Sequence, residues 1–250
     1  MIDARVFIKA PMGFKNKCYI YPPSVKDVLI TPNFPQFLRI LTVTQEDITD
    51  ELLKKESKET PPTPFEFILI NCYHNEQFRK LTEKAFEFFI HDKVTFFYEH
   101  KAIVIGDLKE VVQRIDNVNQ LLYLQEEDFF EFQNFIRVVC GNKIVKPPEP
   151  PNPNEDPRIT RMKAKARERD RIKARKGATN GISLDVCLVA ICCMGIGITP
   201  LNIGEMSYAA VNPIMQMSQE KEKYDIDVRS LLAGADSKKI KPKYWIRNSD

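Results

Sequence analysis

Histidine, glycine and tryptophan are scarce in this 250-residue chain, at three, nine and one copies. His74, His91 and His100 show no HExxH or HxH spacing, and no cysteine stands at ligand spacing from them. A metal centre or a histidine-based reaction therefore has no framework. The six cysteines include no CxxC pair, and four of them lie inside apolar runs. That pattern reads as reduced, buried thiols in place of a disulfide scaffold. GxxxxGK[ST], GxGxxG and GxSxG motifs are absent. Gly195-Ile196-Gly197 lacks the third glycine and the lysine of a phosphate loop and reads as a turn between packed helices. The carboxylate pairs Asp47/Asp50, Glu126/Glu127 and Asp225/Asp227 fall at helix starts or on charged faces, where negative charge suits the helix dipole. No catalytic residue, metal or cofactor is expected. The most apolar stretch, Leu184 to Ile198, is too short for the roughly 20 residues of a membrane span and contains Asp185. The first residues, MIDARVFIKAP, have no long apolar segment, so no signal peptide or membrane is expected, and cytoplasm is the expected compartment.

What the chain does have is an uneven distribution of charge. The formal net charge is +3, yet Arg158 to Lys176 alone holds ten basic and two acidic residues, or +8. The remainder therefore carries −5, the difference between +3 and +8. A mildly acidic body with one basic segment suits a local contact with a polyanion or an acidic partner. The candidate polyanion residues are Arg161, Lys163, Lys165, Arg167, Arg169, Arg171, Lys173 and Arg175. No aromatic interleaves them and they circle the predicted helix, so nucleic-acid binding ranks below a solvated or protein-contacting role.

The fold class expected is α+β, mostly α. Residues 1–143 read as an α+β module, because aromatics concentrate before residue 140 and helical periods alternate with β-rich runs. Ala4 to Lys9 alternates as a short strand that would pair with Cys18 to Tyr21. Helices are expected at VKDVLI behind Ser24, EDITDELLKKESK, PFEFILINCYH, EQFRKLTEKAFEFFI, LKEVVQRID behind Asp107, and Glu126 to Cys140 with Gly141 as the stop. In EQFRKLTEKAFEFFI, Phe78, Leu81, Ala85, Phe88 and Phe89 form the expected core stripe. Val94 to Tyr98 and Ala102 to Ile105 predict a hairpin. Residues 144–157 form a proline-rich linker: KPPEPPNPNEDP holds six prolines in twelve residues, which precludes helix or sheet ladder. Residues 158–178 read as a basic helix, 183–234 as a helical C-terminal module, and 235–250 as a basic tail. Within the C-terminal module Ser183 and Ser207 are expected N-caps, Pro213 should kink or delay its helix, and DVRSLLAG reads as a separate short helix.

The run LVAICCMGIGITPLNIGEMSYAAVNPIMQM, Leu188 to Met217, ends an apolar helix in glycine, restarts at Thr-Pro and restarts again at Met-Ser. On Gly197, Thr199, Pro200, Ile203, Met206 and Ser207 it resembles the C-terminal region of tail assembly chaperones of tailed bacteriophages. The later run YDIDVRSLLAGADSKKIKPKYWIRN is similar to C-terminal tails of proteins from phages of low-GC Gram-positive bacteria. The resemblance covers about thirty residues, roughly an eighth of the chain. It implies a non-enzymatic tail-morphogenesis protein of the host cytoplasm that binds tape-measure and tail-tube proteins, with self-association as a further partner. Apolar helical surfaces would do the binding, and methionine-rich ones re-pack on varied partners. The expected contact residues are Met194, Ile196, Ile198, Ile203, Met206, Met215, Met217 and Trp245. Two alternatives stand beside this reading: a structural virion protein of the baseplate, neck or tail tip, and a nucleic-acid-binding accessory protein that uses the basic helix.

Overall fold

A computed structural model describes residues 4–54, 60–107, 109, 122–146, 158–159, 162–163, 165–166, 168–169, 183–236 and 239–244. The architecture is α+β and mostly helical. Most of the proline-rich linker, most of LKEVVQRID and Trp245 lie outside the described residues, as do Arg161, Arg167, Arg171, Lys173 and Arg175.

The chain opens with one helical turn, α1 (Ala4–Phe7), where a strand was expected. Lys9 takes a left-handed φ of 54°, and the Ala10 N–H donates back to the Arg5 carbonyl at 2.9 Å, which closes the turn. The expected partner of Cys18 to Tyr21 is displaced by a nearer segment. β1 (Met12–Phe14) pairs antiparallel with β2 (Cys18–Ile20), with Met12 opposite Ile20. Lys15 and Asn16 carry the reversal at φ 45° and 56°. Asn tolerates that region, and lysine does so only at a cost. The Lys15 ammonium is held by Asp128 at 3.1 Å and Glu131 at 2.8 Å, while Lys17 binds the other Asp128 oxygen. Two lysines on one mostly buried carboxylate thus fix the hairpin on the helix that follows residue 125.

Five helices come next. Ser24 and Asp27 form a reciprocal capping box on α2 (Val25–Ile30). α3 (Phe34–Leu41) starts with Pro35 in its first turn, where the missing N–H is not needed. α4 (Gln45–Lys54) follows, and Thr63 and Glu66 box the start of α5 (Pro64–His74). Asn75 ends α5 and caps α6 (Glu76–Ile90), accepting the Phe78 N–H at 3.0 Å. The buried stripe of α6 is Thr82, Ala85, Phe86, Phe89 and Ile90, rotated from the expected one; Phe78, Leu81 and Phe88 are half-buried at its edge. β3 (Val94–Phe97) and β4 (Ala102–Ile105) form the predicted hairpin, joined by β5 (Tyr123–Leu124). α7 (Glu126–Val139) closes the module, and Gly141 follows at φ 72°.

Phenylalanines build the main core. Phe132 stacks on Phe86 at 5.4 Å and meets the edge of Phe14 at 5.7 Å, and Phe65 packs on Phe129 at 5.4 Å. Such pairs add about 0.5–1.5 kcal/mol each beyond area burial.

The C-terminal part holds α8 (Leu184–Cys193), 3-10 turns at Ile203–Glu205 and Tyr208–Ala210, and α9 (Val211–Leu232). Pro213 is the third residue of α9 and costs no hydrogen bond there, and α9 runs on through DVRSLL as one helix. No glycine or proline interrupts residues 214–232, so nothing ends it earlier. Ser207 makes no side-chain cap bond, contrary to expectation. It is buried and pairs as an isolated antiparallel bridge with Ser24. The Val25 N–H donates to the Met206 carbonyl at 2.8 Å, and the Tyr208 N–H to the Pro23 carbonyl at 2.9 Å. The Tyr208 ring meets the edge of Phe34 at 5.3 Å. A second, smaller core joins Val25 of α2 to Leu188, Ile191, Val211 and Met215.

Two outcomes follow from these contacts. A Cβ on Gly141 would stand 3.0 Å from the Ala209 Cα and carbonyl oxygen, at a backbone angle that disfavours side chains. Gly141→Ala should lower unfolding free energy by about 1–3 kcal/mol in a urea titration, and an unchanged midpoint would contradict the close approach. At Asp128, burial opposes ionisation, but hydrogen bonds from Lys17, Lys15 and the Gln125 backbone outweigh it and hold the carboxyl below its usual range. Its contribution to stability is complete above the unfolded-state value of about 3.9 and lost as pH falls through the lower folded value. Asp128→Asn should flatten the acid limb of a stability–pH curve in that window, and an unaltered limb would remove this carboxylate as its source.

Candidate partner-binding surface

Helix α8, LDVCLVAICC, has one charged residue, Asp185, and no polar face. A helix apolar on all sides normally lies wholly inside a core. Among the described residues only one side is covered. Leu188 and Ile191 are buried, and Leu184, Cys187 and Ala190 pack at the edge of the same small core against α9 and Val25. On the opposite side Val186 and Val189 stay 50% and 64% exposed, and Cys193 is also exposed. Positions 186, 189 and 193 follow the i, i+3, i+7 spacing of one stripe.

Beyond the helix two more apolar side chains are exposed. Gly195 and Gly197, at φ 67° and 82°, turn the chain. Ile196 is 53% exposed and Leu201 97%. The loop that carries Leu201 is pinned by one side chain: the Asn202 amide oxygen accepts the Thr199 N–H at 2.7 Å, and its NH2 donates to the Gly197 carbonyl at 3.1 Å. Leu201 is therefore displayed from a fixed turn.

The expected contact residues divide. Ile196 and Met217 face solvent. Met194, Ile198, Ile203 and Met206 are half-buried around the second core, and Met215 lies within it. Val186, Val189, Cys193 and Leu201 complete the exposed surface and were not singled out from the sequence. The available signal was the missing polar face of α8. Of the basic residues, Lys163, Lys165 and Arg169 are described, helical and exposed.

Elsewhere, an open cleft of ≈ 580 Å³ lies between α3, α4, α5 and α6, lined by Ile40, Val43, Ile48, Phe67, Phe78 and Leu81 among others. Burial pushes the thiols of Cys18 and Cys72 up to about 12, and raises Cys140 further, so these are inert packing groups at neutral pH. Among the described residues no three His, Cys, Asp or Glu side chains gather as metal ligands, and no helix is long and apolar enough to cross a membrane. No family model, curated protein or solved structure matches the chain.

The two sides of α8 predict opposite mutational costs. Ile191→Ala removes a fully buried side chain and should cost about 2–5 kcal/mol. Val189→Ser, on the exposed stripe, should stay within about 0.5 kcal/mol of the parent. Chemical denaturation of both variants checks this, and equal losses would place Val189 in a core.

Proposed function

We propose that the chain is a non-enzymatic binding protein that holds a helical segment of another protein on the exposed side of α8. The uncovered stripe Val186, Val189 and Cys193, with Ile196 beyond it, carries the reading. A ten-residue helix is about 15 Å long, so the stripe is one helix wide and short. The roughly 800 Å² per partner of a standard protein interface needs far more surface than that. One amphipathic helix laid along α8, with Leu201 at its end, fits the dimensions. A tape-measure protein of a tailed phage, a very long amphipathic helical chain, is the partner that the resemblance at Gly197 to Ser207 favours. On this reading the protein is a tail assembly chaperone acting in the host cytoplasm.

Co-expression with the tape-measure protein of the same phage tests the proposal. The native chain should co-purify with it and hold it at roughly 1 M salt, where screening removes long-range charge attraction. Val189→Asp should lose the partner without losing its own fold. Retention of the partner by that variant, or no capture by the native chain, would overturn the assignment.

A further inference from the structure

Past its contact with α8, helix α9 meets the chain a second time. It ends at Leu232, and Gly234 at φ 93° turns the backbone. The Asp236 carbonyl accepts the N–H groups of Lys239 and Ile240 at 3.0 and 3.1 Å, which fixes the start of the segment that follows. Tyr244 then meets Tyr224 of α9, with ring centroids 5.6 Å apart and the planes nearly perpendicular. Residues 239–244 thus lead back from the end of α9 to Tyr224, as a strap set apart from Val211 and Met215, which hold α8.

The strap sorts its side chains by position. Ile240 and Pro242 are half-buried, whereas Lys239, Lys241 and Lys243 are exposed. Pro242 holds its own φ and pushes Lys241 toward extended backbone. Alternate residues of an extended chain lie about 6–7 Å apart. The three lysines therefore form a row of cations along one side. None of them makes an ion pair among the described residues. At the end of the row, Tyr244 stays 56% exposed although it touches Tyr224.

We infer that residues 239–244 form a binding site for single-stranded nucleic acid, with Lys239, Lys241 and Lys243 on successive phosphates and a base stacked on Tyr244. Unpaired cations in a row suit a ligand whose anions repeat along a chain. The exposed ring beside them supplies the stacking platform that the basic segment from Arg158 to Lys176 lacks. A duplex fits less well, because its bases stack on one another and leave no face for Tyr244. An anionic lipid surface also fits less well, since Ile240 and Pro242 are half-buried and not displayed for insertion. Outside Arg158 to Lys176 the chain carries −5, so long-range charge does not draw a strand to the rest of the body.

Fluorescence anisotropy of labelled oligo(dT) with the full chain tests this. The native chain should bind it. The triple variant Lys239→Gln, Lys241→Gln and Lys243→Gln should bind at least about tenfold more weakly at low salt, and its plot of log K against log salt should be shallower by about 2, the value for three phosphates of a single strand. Tyr244→Ala should weaken oligo(dT) binding about tenfold, and Tyr244→Phe, which keeps the ring, should bind as the native chain does. Heparin, a polyanion without bases, should bind the native chain and Tyr244→Ala alike. No oligo(dT) binding by the native chain would overturn the inference. So would a triple variant with the native affinity and salt slope, which would place the contact in the basic segment. Equal losses of heparin and oligo(dT) in Tyr244→Ala would also overturn it, because the ring would then only hold the strap in place.

Discussion

Two backbone hydrogen bonds between residues 23–25 and 206–208 set the arrangement on which the rest depends. They join the C-terminal segment to the first module as a single rung of antiparallel pairing, with Ser24 opposite Ser207. Buried backbone groups need partners, and these two bonds supply them. Ser24 serves both sides, since it also caps α2 through the box with Asp27. Val25, one residue on, is wholly buried in the small core with Leu188 and Ile191. The rung therefore decides which side of α8 turns inward.

Close approach reinforces the rung. Gly141 ends α7 at a positive φ and lets the Ala209 backbone come into contact where a side chain would not fit. Phe34 and Tyr208 extend the contact into the phenylalanine core. That core is held at its other edge by Asp128, which pins the β1–β2 hairpin through Lys15 and Lys17. Hairpin, α7 and C-terminal turns thus share supports, with Ala209 in the phenylalanine core and Val25 in the small one.

Much of this was legible in the sequence, because its signals are local. PFEFILINCYH and EQFRKLTEKAFEFFI read as helices and form α5 and α6, and the β-rich runs of VTFFYEHKAIVI form the hairpin. The misreadings arise where tertiary contacts outweigh local pattern. Ala4 to Lys9 has strand-like alternation, but Met12–Phe14 is nearer to Cys18–Ile20 and takes the pairing. Ser207 does stand at the N-cap of the Tyr208–Ala210 turn, but its hydroxyl makes no cap bond and its backbone bridges to Ser24. Met194, Met206 and Met215 look like a flexible apolar surface, and packing against Val25 and α9 draws them inward. Which side of α8 stays uncovered depends on the rung at Ser24, some 160 residues away in sequence, and no periodicity within α8 encodes it.

The exposed stripe has an energetic meaning of its own. Val186, Val189 and Leu201 meet water in the folded chain much as they do in the unfolded one, so they contribute little to folding. Their apolar area keeps its transfer free energy until something covers it. Full burial of one such side chain is worth about 1.5–3 kcal/mol. Association must still offset lost rigid-body freedom and the ordering of loops. The Asn202 side chain has already ordered the Leu201 loop, and α9 already holds α8. A partner helix thus meets a surface whose ordering cost was met during folding. More of the apolar gain from covering this surface would then appear as affinity.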